Sequence, residues 1–201
     1  EELRRQMKRR APGQKLGTTR TEADEVEILS GIRENRTCGT PICGVIYNQN
    51  TRSQDYERTK RLLRPSHADY TGHVKYRGFE DYRGGGHFSG RITAPLVFAG
   101  ALCRQALEQR GITIGSHITK LYNVTEPRFT RGTLTKETLC WLGQQTVPVL
   151  AKEHADTIAL RIEAARMELN SLGGIVETAI LGIPAGLGDP FFDSMESRLA
   201  H

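Results

Sequence analysis

Apolar side chains recur at helical spacing in two long segments. Residues 152–172 form the clearest predicted helix, which Gly173 ends, and residues 93–109 form another, with Pro95 in its first turn. Their apolar faces comprise Ile158, Ile162, Ala165 and Leu169 in the first helix and Leu96, Ala99, Leu102, Cys103 and Ala106 in the second. Shorter helices are predicted at residues 1–10, 55–63 and 192–200.

Apolar and β-branched runs predict strands between these helices. They lie around Val26 and Ile28, at residues 40–47, at 112–121 and at 175–183. The run at 40–47 has turn residues on both sides and predicts a well-buried strand. Helices and strands are mixed without strict β-α-β alternation and without an internal repeat. We therefore expect an α+β fold in a single domain over residues 1–201.

The composition is that of a globular protein. Of 201 residues, 37% are hydrophobic and 25% are charged, and the formal net charge of +5 suits a nucleic acid or a polyanionic small molecule equally. No apolar run is long enough for a membrane span, and no signal peptide is visible. Four cysteines without metal-site spacing predict reduced, mostly buried thiols, no metal site and a reducing, cytoplasmic compartment. They are Cys38, Cys43, Cys103 and Cys140.

A basic run opens the chain. Residues 4–10 (Arg-Arg-Gln-Met-Lys-Arg-Arg) place cations on more than one side of a short helix that Pro12 and Gly13 follow. Arginine forks suit phosphate and carboxylate groups, so the run is a candidate anion-binding cluster. A solvated helix end is the alternative, because basic side chains near a helix C-terminus complement its dipole.

A glycine-rich turn leads into the helix at residues 93–109. Residues 84–91 read Gly-Gly-Gly-His-Phe-Ser-Gly-Arg. Backbone without Cβ atoms can approach a ligand closely, the helix start offers unpaired N–H groups to an anion, and Ser89 and Arg91 add polar groups. The run matches neither the dinucleotide fingerprint nor the P-loop, and a flexible loop without a ligand is the alternative.

A histidine close to a carboxylate is the candidate acid or base. His67 lies two residues from Asp69 within residues 64–70 (Arg-Pro-Ser-His-Ala-Asp-Tyr), so its charge and orientation can be controlled. A structurally hydrogen-bonded histidine is the alternative here. It is also the interpretation of His73, His117, His154 and His201.

These stretches together resemble the chorismate synthase family. Residues 64–71 are similar to its Arg-Pro-Gly/Ser-His-Ala-Asp block, and residues 81–86 (Asp-Tyr-Arg-Gly-Gly-Gly) follow at the family's spacing. Residues 87–91 stand where the family more often has Arg-Ser-Ser-Ala-Arg. Further similar blocks occur in family order at residues 9–13, 22–31, 37–42, 52–56, 171–174 and 182–188.

The resemblance implies a β-α-β sandwich, here incomplete, and a specific reaction. The family removes phosphate from 5-enolpyruvylshikimate-3-phosphate by an anti-1,4 elimination that gives chorismate, the last common step of the shikimate pathway. Reduced FMN is required without net redox change, and NADPH is a possible reductant. The family is commonly a homotetramer, and neither nucleic acid nor membrane is an expected partner.

The resemblance also assigns roles to individual residues. His67 matches the catalytic histidine. Arg10, Arg64, Ser89, Gly90 and Arg91 match substrate-binding positions, and Arg10, His87, Phe88 and Ser89 match cofactor-binding positions. A further family arginine falls at about Leu16, where Lys15 or Arg20 is a possible substitute.

Two family segments are absent from these residues. One is a Gly-Glu-Ser-His-Gly segment with a second catalytic histidine, and the other is a region with an Asn-Ala motif and a Lys-Pro-Thr-Ser flavin loop. Both ends of the chain lie within predicted helices, so we expect missing sequence on each side and an incomplete flavin site. Two alternatives stay open: an inactive fragment of the enzyme, or a non-enzymatic basic module that binds phosphate or nucleic acid.

Overall fold

The computed structural model of the chain describes residues 1–13, 16–17, 22–48, 62–83, 88–189 and 191–201. The chain divides into two compact units, Glu1–Cys103 and Arg104–His201, and each is described by itself. The single domain expected over residues 1–201 stays a prediction. Most of the helix predicted at 55–63 lies outside the described residues.

The first unit begins with helix α1, Glu2–Arg10. Met7 is its buried residue, an acidic side chain lies in the first turn and three basic ones in the last, which suits the helix dipole. Ala11 has extended backbone, as a residue before proline prefers, so the helix ends there. The helix predicted at residues 1–10 is confirmed.

Two small antiparallel pairs follow. Strand β1 (Val26–Ser30) pairs with β4 (Cys43–Ile46), and between them β2 (Ile32–Arg33) and β3 (Arg36–Thr37) form a hairpin. The well-buried strand expected at 40–47 was wrong in length and burial, since β4 has four residues and none is fully buried. A strand with one described neighbour has little to cover it.

Two helices complete the first unit. Helix α2 (Asp69–Tyr76) was not predicted, and helix α3 (Thr93–Glu108) was, with a turn of 3-10 helix at Gly90–Ile92 leading into it. The apolar face expected for α3 was wrong, because its buried residues are Ala94 and Ala101 while Leu96 is exposed. Apolar side chains lie on most sides of this helix, so spacing alone could not select the buried side.

The second unit contains a three-stranded antiparallel sheet. Its order is β6 (Val124–Thr125), β5 (Thr113–Leu121) and β7 (Gly174–Leu181), so the strands predicted at 112–121 and 175–183 are confirmed. Helices α4 (Lys136–Leu142), α5 (Lys152–Met167) and α6 (Met195–Ala200) accompany it. Helix α5 ends five residues earlier than expected, because Leu169 adopts a left-handed φ of 53° and is exposed.

The core of the second unit is apolar with one buried carboxylate beside it. Val124, Val149 and Ile158 are the buried members of one apolar cluster, and Leu139 and Leu142 are also fully buried. Glu126 accepts hydrogen bonds from the backbone N–H of Leu150 (2.7 Å) and of Ala151 (3.0 Å) at the start of α5, and it contacts Nδ1 of His154. Glu126 therefore satisfies N–H groups that the helix start leaves without helical partners.

The buried face of β5 is largely polar. The fully buried His117 contacts Glu177 on β7 at 2.9 Å, and its ring lies 4.2 Å from that of Phe129. The backbone N–H of Phe129, more than His117, lowers the pKa of Glu177. The structural role predicted for His117 agrees with this environment.

All four cysteines are free thiols, as expected, but their expected burial was wrong. Cys38, Cys43 and Cys103 are exposed and Cys140 is partly buried. An apolar run around a cysteine did not indicate which side of the element faces the core. The mixture of helices and strands nevertheless confirms the α+β class.

Candidate active site

Arg10, at the end of α1, reaches the turn that opens α3. Its Nη1 contacts Asp24, its Nη2 donates to the carbonyl oxygen of Gly90 at 3.3 Å, and its Nε and Nη2 lie 3.4 and 3.3 Å from Oγ1 of Thr93. Thr93 in turn donates to the same Gly90 oxygen at 2.6 Å. The guanidinium plane is therefore held on several sides at once.

Arg91 enters the same cluster from the 3-10 turn. Its Nη1 contacts a carboxylate oxygen of Glu22, and its Nη2 lies 3.9 Å from Oδ1 of Asp24. Asp24 thus faces both arginines. Residues 10, 22, 24 and 91 come from three separate parts of the chain, and together they form a charge-balanced group, called here the arginine–carboxylate cluster.

The carboxylates of this cluster lie deeper than the arginines. The side chains of Asp24 and Glu22 are 1% and 4% exposed, against 16% and 20% for Arg10 and Arg91. Asp24 also has a left-handed φ of 48°, which is uncommon outside glycine. Glu22, Asp24 and the exposed Glu25 and Glu27 line one shallow depression with Tyr47.

The Ser89–Gly90 turn presents backbone next to these arginines. Oγ of Ser89 accepts from the backbone N–H of Arg91 and begins the 3-10 turn. No atom lies within 4 Å of the position that a Cβ of Gly90 would occupy. The main chain at Gly90 is therefore open to close approach, as the sequence predicted for this turn.

Phe88 connects the turn to helix α2. Its ring packs directly on Gly72 and lies 6.3 Å from the ring of Tyr76. The phenyl group that replaces a polar family residue here is thus used for packing inside the unit. His87, the other expected cofactor-binding residue that departs from the family pattern, lies outside the described residues.

His67 and Arg64 meet at the beginning of α2, where both contact Asp69. Nδ1 of His67 lies 2.7 Å from Oδ1 of Asp69, and Arg64 donates to both carboxylate oxygens, from Nε at 2.8 Å and from Nη2 at 2.9 Å. The hydrogen bond from the Arg64 side chain is the main reason that the pKa of Asp69 lies well below its usual range. Ser66 takes a left-handed φ of 58° in the turn before the histidine.

The contacts of Asp69 fix the tautomer of His67. An ionised carboxylate can only accept, so Nδ1 of His67 must donate to it. The 3.3 Å approach of Arg64 Nη2 to the same nitrogen is then a contact between two donors rather than a hydrogen bond. Nε2 is left as the ring nitrogen that can exchange a proton with another molecule.

The structure groups the predicted residues in two places within the first unit. Arg10, Ser89, Gly90 and Arg91 lie together in one, His67 and Arg64 in the other, and Phe88 packs on the helix that begins with the second group.

Sequence analysis missed Glu22, Asp24 and Thr93 as partners. The spacing of Glu22 and Asp24 before β1 was a usable signal, since two acids at alternate positions beside a strand are candidates for ion pairing. Lys15 and Arg20 lie outside the described residues.

Arginines of the basic run at residues 4–10 contact other groups of the chain. Arg5 pairs with Glu2 at 2.8 Å, Arg9 donates to Gln6 at 3.1 Å, and Arg10 contacts Asp24. These contacts do not favour the basic-module alternative. In the described part of the chain, no group of three His, Cys, Asp or Glu side chains is placed to hold a metal, and no helix is long and apolar enough to cross a membrane.

A family model for chorismate synthase matches residues 1–201. The chain belongs to the chorismate synthase family. A chorismate synthase from Dehalococcoides mccartyi (strain BAV1) is 42% identical over 201 residues, which cover 100% of this chain and 54% of the relative. One from Thermococcus kodakarensis is 37% identical over 201 residues, with the same two coverages.

A solved chorismate synthase crystal structure has the same fold. It superposes with a TM-score of 0.68 at 26% identity and covers 99% of this chain, which covers 54% of that structure. The chorismate synthase-like fold expected from the sequence is confirmed. The chain spans about half the length of the curated chorismate synthases it matches.

Proposed function

We propose that these residues form part of the active site of a chorismate synthase, a carbon–oxygen lyase that eliminates phosphate from 5-enolpyruvylshikimate-3-phosphate. One observation supports this most strongly. Arg10 and Arg91, which are 81 positions apart in the sequence, both contact Asp24 beside the open Ser89–Gly90 turn. Two arginines to which the family resemblance assigns substrate binding thus lie together although they are far apart in the chain.

Arginines would bind the anionic groups of the substrate. The substrate carries a phosphate and two carboxylates, and a guanidinium fork matches either group with two parallel hydrogen bonds. Arg91 and Arg10 would meet one anionic group at the turn, where the Gly90 backbone leaves room. Arg64 would meet another near the start of α2. Fixed donors of this kind also stabilise charge that develops on phosphate as it leaves.

His67 would handle a proton through Nε2. Asp69 accepts from Nδ1 and holds the ring in place, so Nε2 can exchange a proton without reorientation of the imidazole. Arg64 holds Asp69 through both oxygens and so fixes the direction of the pair. Arg64 thus orients Asp69, and Asp69 orients His67. Only the histidine would exchange a proton.

The turn at Ser89 and Gly90 fits part of a flavin site. Its open main chain, with Arg10 beside it, would contact the cofactor, together with His87 and the backbone of Phe88. Reduced FMN bound there would supply electron density for the elimination of phosphate, with no net redox change. NADPH as the reductant, a homotetrameric assembly and a cytoplasmic location are further predictions from the family.

The test is chorismate formation by the protein that carries these residues, with reduced FMN and 5-enolpyruvylshikimate-3-phosphate. His67→Ala is expected to lower kcat by about 10²- to 10⁴-fold, the range for a lost general acid or base, with KM changed only a few-fold. His73→Ala is the matched control, because His73 lies on α2, which begins just after His67, and also contacts a carboxylate, Glu80 at 2.8 Å. Equal turnover in both variants would refute the role of His67.

A further inference from the structure

We infer that Glu22 and Asp24 are positioning residues, which hold the guanidinium groups of Arg10 and Arg91 in the geometry that receives an anionic ligand. This inference rests on the proposed function and extends it to two residues that take no part in the expected chemistry. It starts from the arginine–carboxylate cluster, whose two positive and two negative groups balance.

In this cluster the carboxylates are more deeply buried than the arginines, which indicates that the carboxylates hold the arginines in place. Asp24 and Glu22 are almost fully buried, whereas the side chains of Arg10 and Arg91 are 16% and 20% exposed. A ligand that arrives from solvent therefore meets the guanidinium groups first. The carboxylates contact both arginines and fix the direction of the two guanidinium groups.

Asp24 is the central member, since it contacts Arg10 with Oδ2 and faces Arg91 with Oδ1. A displacement of this one carboxylate would change the spacing of the two guanidinium groups. Thr93 and the Gly90 carbonyl hold Arg10 from the start of α3, so the plane of Arg10 is determined by partners in two different segments. This degree of constraint exceeds what a solvated ion pair needs.

Stability alone is a poor explanation of the cluster. Buried ion pairs often contribute nothing relative to apolar side chains of the same volume, because desolvation offsets the attraction. Asp24 in addition holds a left-handed backbone conformation, which is costly for a residue other than glycine. Costly local arrangements of this type concentrate where binding or catalysis needs a fixed geometry.

The experiment separates geometry from charge with two substitutions at one position. Asp24→Asn removes the charge, whereas Asp24→Glu keeps the charge and moves it by about one methylene. If Asp24 positions the arginines, both variants lower kcat/KM for 5-enolpyruvylshikimate-3-phosphate by about 10- to 100-fold, the loss that misplacement by roughly 1 Å produces. If the carboxylate matters only through its charge, Asp24→Glu retains wild-type kcat/KM, and the inference fails.

An exposed carboxylate outside the shallow depression supplies the matched control. Glu34→Gln removes an equal charge from the turn between β2 and β3, and we expect kcat/KM within about twofold of the wild type. Glu22→Gln, which is nearly isosteric, tests the second positioning residue if Asp24 variants do not fold. A folded Glu22→Gln or Asp24 variant with a lower melting temperature but unchanged kcat/KM would make the cluster structural only and would overturn the inference.

Arginine NMR gives a readout that is independent of turnover. The Nε–H signals of Arg10 and Arg91 should be resolved and slow to exchange in the wild type and in Glu34→Gln, and should broaden or shift in Asp24→Asn. Unchanged Arg10 and Arg91 signals in Asp24→Asn overturn the inference. If the wild type makes no chorismate, the proposed function fails, and these signals still decide whether Asp24 positions the arginines.

Discussion

The ring of Phe88 occupies the space that a side chain at Gly72 would need. A Cβ built on Gly72 would lie 2.3 Å from Cε2 and 2.5 Å from Cζ of Phe88. This close approach joins helix α2, which begins with Asp69, to the turn that carries Ser89, Gly90 and Arg91. The two groups of site residues in the first unit are therefore connected by a glycine and an aromatic ring.

Gly72→Ala is expected to lower the free energy of unfolding. Forcing the Phe88 ring aside costs about 1–3 kcal/mol, whereas the better helix propensity of alanine returns at most about 1 kcal/mol. Gly100→Ala is the control, since no atom lies within 4 Å of its Cβ position on α3 and only the propensity gain applies. Urea denaturation of both variants should show opposite shifts, and a stabilised Gly72→Ala would contradict the packing.

Asp69→Asn is expected to destabilise the protein at neutral pH and less so in acid. Because the pKa of Asp69 is lowered, chiefly by Arg64, its contribution to stability is complete above the ordinary aspartate pKa of about 4 and decreases as pH falls through the folded-state value. Urea denaturation of the wild type and the variant should therefore converge below about pH 4.

Asp81→Asn is the control for this pH series. Asp81 pairs with Arg83, which also lowers the pKa of its carboxyl group, but both side chains are more than half exposed and solvent screens them. We expect little difference from the wild type at any pH. A difference at Asp69 that does not change with pH would mean that packing, not the carboxylate charge, stabilises α2.

Glu126→Gln is expected to destabilise the second unit by about 1–3 kcal/mol, the cost of leaving buried donors poorly paired. The amide that replaces one carboxylate oxygen would face the N–H groups of Leu150 and Ala151 or Nδ1 of His154, all of which contact Glu126. Glu153→Gln is the control, because Glu153 is exposed in the first turn of α5. Equal unfolding free energies would exclude the capping role.

Substitutions of Ser66 test whether the turn before His67 requires a left-handed backbone conformation. Its φ of 58° costs an L-residue about 1 kcal/mol or more, so Ser66→Gly should be neutral to slightly stabilising and Ser66→Val should destabilise by about 1–2 kcal/mol. Ser171→Val, at an exposed serine without a positive φ, provides the comparison. A valine at position 66 that is tolerated as well as one at 171 would mean that the turn relaxes.

Sequence patterns predicted the elements with clear end signals. Helix α1 stops before Pro12, α3 has Pro95 in its first turn, and a glycine with φ of 78° at position 111 follows it. Helices α2 and α4 were missed, because seven or eight residues contain only two turns. In α2, moreover, Gly72 and β-branched residues lower the helix propensity.

The sequence predicted the arginines of the candidate site but not the carboxylates that pair with them. Arg10 and Arg91 were identified from motifs, but a motif does not tell which acid folds against which base. Glu22 and Asp24 are near neither arginine in sequence, and their burial depends on the tertiary structure. Asp69 was more accessible to prediction, since it lies two residues from His67 and the contact is local.

Two guanidinium groups that each face a carboxylate project little net field into the surrounding water. Nucleic acids and acidic protein tails bind mainly through such fields, since their charges are spread along a chain. A compact metabolite depends instead on direct hydrogen bonds at short range. The charges of Arg10, Arg91, Glu22 and Asp24 balance one another. Nucleic acids and acidic protein tails are therefore attracted only weakly to this turn, whereas a small polyanion can still bind there through direct hydrogen bonds.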